Sequence, residues 1–78
     1  MANELFEKVK EIISEKTGVE REDIKSEAFF SEDLNIDEME LLEIIDELEG
    51  NYTIVLKTKL EDIKTVGDLL HSLHEVLD

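Results

Sequence analysis

Seventy-eight residues, 41% of them apolar, supply enough Leu, Ile and Val for one small core, so a single domain over 1–78 is expected. Twenty-two Asp and Glu against eight Lys and Arg give a net charge of −14, which repels phosphate backbones and anionic lipid and argues against direct nucleic-acid binding. The absence of cysteine excludes a disulfide framework, a thiolate zinc site and a thiol nucleophile, and no apolar run approaches the roughly 18 residues that membrane insertion requires. Met1-Ala2-Asn3-Glu4 shows no basic region leading into an apolar run, so a cytoplasmic location is the expectation.

Leu5, Phe6, Val9, Ile12 and Ile13 recur at helical spacing after a candidate Asn3 cap and stop before Gly18, a residue suited to the left-handed turn that ends a helix. The first helix is thus predicted over about residues 4–16. Residues 17–36 lack a long periodic run, yet a structureless loop of that length is unusual in a small domain. Ile24, Phe29, Phe30, Leu34 and Ile36 are therefore expected to pin it to the core, with a helical turn around Glu22 to Lys25.

Asp37 can accept from the free N–H groups of a first turn, and Glu40 three residues on completes a capping-box-like start for the second helix. Leu41, Leu42, Ile45 and Leu48 form its expected buried stripe, and Gly50-Asn51 is expected to end it or loosen its last turn, with Tyr52 packing beyond. Thr53-Ile54-Val55-Leu56 has strand propensity but no partner strand, so it reads as an extended connector burying Ile54 or Leu56. Leu60 and Ile63 suggest a short third helix. Thr65 and Asp68 cap a fourth, with the stripe Val66, Leu69, Leu70, Leu73 and Leu77.

The stretch Phe30-Ser31-Glu32-Asp33-Leu34-Asn35-Ile36-Asp37-Glu38-Met39-Glu40 resembles the prosthetic-group segment of acyl carrier proteins. Lys64-Thr65-Val66-Gly67-Asp68 looks like the start of that family's last helix, and the order of elements matches along nearly the whole chain. The resemblance implies an all-α fold: a small four-helix bundle of acyl carrier protein type with a long first loop and a short third helix. It also implies a departure, because Glu38 stands where the family's Asp-Ser-Leu motif has its attachment serine. In the family that serine is esterified to 4'-phosphopantetheine, whose thiol carries the acyl chain. A carboxylate at position 38 could form only a labile acyl phosphate, so no cofactor is expected at Glu38, flanked by Asp37 and Met39. Asn35 for glycine, Met39 for leucine and Gly50-Asn51 are lesser departures.

On a helical wheel Leu41, Ile45 and Leu48 lie opposite Glu40, Glu43, Asp46 and Glu47, with Met39 among the acids. The family presents this helix to basic grooves on its enzymes, so the resemblance implies partner contacts at Glu38, Met39, Glu43 and Glu47. The expected partner is the basic surface of a protein, such as an enzyme of fatty acid biosynthesis, met by a monomer; the chain itself is not expected to be an enzyme. The blander reading is a solvated acidic face with a stray methionine. Glu38 has one too, since acids are favoured in a first helical turn by about 0.3–1 kcal/mol, against the sharper reading of a carboxylate mimicking phosphate.

Asp33, Asn35 and Asp37 match the first three ligand positions of a calcium loop, but Glu38 replaces its turn glycine and Ile44 its bidentate glutamate. His71 and His74, with Glu75 and Asp78, have a spacing that can hold a metal but is common on polar helix faces, so no metal site is expected. Two alternatives stay open. One is a true acyl or peptidyl carrier, in which Glu38 is an engineered substitution of serine or a nearby hydroxyl such as Ser31 is modified. The other is non-covalent lipid binding between the helices.

Overall fold

The structure, a computed structural model, describes residues 3–77, with the backbone alone at Asn3 and 57–59. Among the described residues three α-helices alternate with two short 3-10 segments: α1 (Asn3–Thr17), Arg21–Asp23, α2 (Glu38–Tyr52), Lys57–Asp62 and α3 (Val66–Leu77). The short third helix expected around Leu60 is present as the 3-10 segment Lys57–Asp62, so the described residues hold three α-helices and a short 3-10 helix in its place. The described residues hold no strand, only a single antiparallel bridge between Phe29 and Thr65.

Val9, Ile12 and Ile13 bury one face of α1. Gly18, at φ 82°, turns the chain out of the helix, and its N–H donates to the Ser14 carbonyl at 2.8 Å. The Asn3 cap concerns a side chain outside the described residues. The expected turn at Glu22 to Lys25 lies slightly earlier, at Arg21–Asp23.

Ile24, Phe30, Leu34 and Ile36 are buried as expected, joined by Ala28. Phe29 is not: it is 43% exposed, since the bridge to Thr65 places neighbouring residues on opposite faces and Phe30 takes the inward one. Backbone bonds lace this loop to the start of α3. Phe30 N–H donates to the Lys64 carbonyl at 3.0 Å, Val66 N–H to Ala28 at 3.0 Å and Gly67 N–H to Ser26 at 2.7 Å. A Cβ at Gly67 would stand 3.0 Å from the Ser26 carbonyl oxygen, so glycine permits this close approach.

α2 begins at its Asp37 cap and buries Leu41, Ile44, Ile45 and Leu48, whereas Leu42 is only half-buried. Ile44 therefore replaces Leu42 in the core stripe. Gly50-Asn51 does not end the helix, which runs to Tyr52. Asn51 Nδ2 donates to the Glu47 carbonyl at 2.8 Å, and Thr53 takes the left-handed cap at φ 55° with its N–H on the Glu49 carbonyl. Beyond it Ile54 is half-buried and Leu56 fully buried. The Leu56 N–H donates to Glu49 Oε2 at 2.7 Å, which ties the connector back to α2.

Val66, Leu69 and Leu73 bury α3, with Leu70 half-buried. Leu77 is 43% exposed, outside its expected stripe, and Val76 packs against the core instead. No helix among the described residues is long and apolar enough to cross a membrane.

Candidate partner-docking site

The first turn of α2 is set by its cap. Asp37, in extended conformation at φ −83° and ψ 177°, accepts from the Glu40 N–H at 2.8 Å. This cap orients Glu38 and Met39 outward at the positive end of the helix dipole, where a carboxylate is favoured. Glu38 is exposed, and Met39 is 74% exposed.

Met39, Glu43 and Glu47 follow at steps of four, so they form one ridge along the exposed side of α2, and Asp46 lies beside it. The structure thus brings together Met39, Glu43 and Glu47, while Glu38 lies a quarter-turn round the helix. Glu47 is engaged within the fold: its Oε1 lies 3.5 Å from Lys16 Nζ on α1, and its Oε2 accepts from Asn51 at 3.3 Å. Among the described residues no hydrogen bond or ion pair holds the side chains of Glu38 or Glu43. α2 has no basic residue in its last turn and contains no serine or threonine.

Beside the start of α2 lies a cleft of about 390 Å³, between the Phe29–Glu32 turn and the second 3-10 segment. Phe30, Ile36, Leu41 and Ile63 are its buried floor, with half-buried Leu60. Exposed Glu32, Asp37, Glu38 and Glu61 edge it. Ser31, upstream of Glu38 in the loop before α2, is exposed on the same cleft. Two of its features escaped the sequence reading, the outward Phe29 and the approach of Glu61, because both depend on the non-local pairing of the loop with the segment before α3.

The carboxylates of the calcium-like pattern have other work. Asp33 Oδ2 accepts from the Phe29 N–H at 2.8 Å, and Asp37 caps α2. His71 Nε2 stands 3.5 Å from Glu75 Oε2, and both histidines are exposed; Asp78 lies outside the described residues. Among the described residues no group of three His, Asp or Glu side chains is placed to hold a metal ion.

A long loop, pinned to the start of the last helix and feeding a capped acidic helix, defines a small all-helical fold over the described residues. A family model described as phosphopantetheine attachment site matches residues 7–73. The acyl carrier protein of Thermotoga maritima is 37% identical over 75 residues, covering 95% of this chain and 93% of its own. Those of Petrotoga mobilis and Streptococcus thermophilus are 36% and 39% identical, covering 97% and 91% of this chain and 91% and 93% of their own. The chain belongs to the acyl carrier protein family.

Proposed function

We propose that this chain is an acyl carrier protein homologue without a prosthetic arm, a single domain over 1–78 that docks through α2 on a basic protein surface. In this reading Glu38 occupies the position of the family's attachment serine, no 4'-phosphopantetheine is attached there, and the protein acts by occupancy and not by turnover. It would work as a cytoplasmic monomer beside an enzyme of fatty acid, lipid or polyketide-type biosynthesis, holding a complex together or competing with a true carrier.

The observation that carries the reading is the ridge of Met39, Glu43 and Glu47, with Asp46 beside it. Past the first turn of a helix the dipole no longer favours a carboxylate, and among the described residues no hydrogen bond or ion pair holds the exposed Glu43 side chain. Helix stability therefore does not account for Glu43. A basic partner does, with the exposed Met39 as an apolar contact inside the charged patch.

A second reading keeps the carrier chemistry. The placement of Ser31 on the same cleft as Glu38 favours it, because a transferase seated at the start of α2 would find that hydroxyl close by.

A pull-down at low salt tests the docking reading, with a Glu43→Lys, Glu47→Lys double variant as control. Capture of a partner by the parent chain and its loss by the folded variant is the expected result. Equal capture by both overturns docking through this face.

A further inference from the structure

We infer that the cleft beside Glu38 receives a large apolar side chain of a protein partner, flanked in that partner by lysine or arginine. The inference rests on the docking reading above and names what the partner inserts.

The cleft joins two unlike surfaces. Its floor is apolar, from Phe30, Ile36, Leu41 and Ile63, and at about 390 Å³ it lies in the lower part of the range of roughly 300–1,000 Å³ that ligand pockets occupy. Its edge is acidic: Glu32, Asp37, Glu38 and Glu61 stand there against Lys64, the one basic side chain among the described lining residues. Phe29, 43% exposed, widens the apolar margin on the loop side.

Charge selects the occupant. A fatty acid would bring its carboxylate against four others, and a second copy of this chain would bring a net charge of −14 against the same charge. A cationic segment is attracted to the edge, and an apolar side chain within it gains by leaving water for the floor. The edge then sets the encounter and the floor supplies the anchor, the usual division between polar rim and buried hot spot.

Two end-blocked peptides of equal charge test this, Lys-Arg-Leu-Arg-Lys and Lys-Arg-Ala-Arg-Lys, titrated at low salt into protein labelled at both methyl groups and backbone amides and followed by NMR. The leucine peptide is expected to shift the methyl signals of Ile36, Leu41 and Ile63 and to bind about tenfold more tightly than the alanine peptide, as burial of its side chain implies. Replacing Glu32→Gln and Glu61→Gln, both exposed, should weaken the leucine peptide while the methyl spectrum of the free protein stays folded.

Equal affinity of the two peptides without methyl shifts overturns the inference. If Glu43 and Glu47 amides still respond, the docking reading survives it. Absence of binding by either peptide also overturns the cleft assignment, and the pull-down then decides the docking reading separately. Decanoate moving the same methyl signals at lower concentration than the leucine peptide would make the occupant an acyl chain, and overturns the inference too.

Discussion

Thr65 and Asp68 cap each other's backbone at the start of α3. The Asp68 N–H donates to Thr65 Oγ1 at 3.0 Å, and the Thr65 N–H donates to Asp68 Oδ2 at 3.0 Å. The Lys64 N–H reaches the same Oδ2 at 3.0 Å. Since Lys64 also accepts from Phe30, this box fixes the helix and the far wall of the cleft together. The Lys64 backbone N–H is the main cause that holds the Asp68 carboxyl below its ordinary value of 3.8, helped by Thr65 and opposed by desolvation.

A depressed native pKa means that the folded state favours the charged carboxylate. Its contribution is complete above the ordinary value and fades as pH falls below 3.8 through the native value. Asp68→Asn is predicted to lower stability by about 1 kcal/mol near neutral pH. Urea unfolding of both proteins from about pH 7 to about pH 2 should show that gap narrowing in acid. A constant gap would mean that the cap gains nothing from the charge.

Thr53 closes α2 at φ 55°, a conformation costly for a β-branched side chain. Thr53→Gly is predicted to stabilise by about 0.5–1 kcal/mol, the relief of strain outweighing the added freedom of the unfolded chain. Asn35 at φ 58° is a residue type that tolerates this region, so Asn35→Gly should gain less. Denaturant midpoints compare the two, and a loss on Thr53→Gly would refute the strain argument.

Leu56 lies outside every helix yet is fully buried. Leu56→Ala should therefore cost about 2–5 kcal/mol, as much as Leu48→Ala in the middle of α2. With a total stability of about 3–5 kcal/mol expected for a core this small, either variant should show a substantial unfolded fraction by circular dichroism at room temperature. Near-normal folding of Leu56→Ala would contradict the role of the connector as a core element.

The acidic ridge of α2 and the net charge of −14 predict that magnesium or moderate salt raises the melting temperature by relieving self-repulsion. Thermal scans with and without added salt measure it, and an unchanged midpoint would count against electrostatic strain.

What could be read from the sequence was local. Gly18, Asp37, and Thr65 with Asp68 mark helix ends by chemistry within a few residues and act as read, while Glu40 joins the Asp37 cap through its backbone N–H and not through a reciprocal side-chain bond. α2 runs past Gly50 to Tyr52, so Gly50-Asn51 does not end it, and two non-glycine devices act there instead: the Asn51 side chain on the Glu47 carbonyl and the left-handed Thr53. Phe29 and Phe30 could not be told apart, since only the bridge to Thr65 decides which faces inward. Helical spacing grouped Met39 with the acids of α2, and Met39, Glu43 and Glu47 do share one exposed side of that helix. The cleft was invisible because Ser31, Glu38 and Glu61 meet only after the loop pairs with the segment before α3.

The central claim is that position 38 bears no pantetheine arm on a scaffold otherwise shaped for one. Intact-mass spectrometry after incubation with coenzyme A and a phosphopantetheinyl transferase tests it most directly, on the parent chain and on Glu38→Ser. The account predicts an unchanged mass for the parent and a gain of one phosphopantetheinyl group for the variant. A gain on the parent, whether mapped to Ser31 or elsewhere, contradicts the account, and no gain on a folded Glu38→Ser variant contradicts the equivalence of that position with the attachment serine.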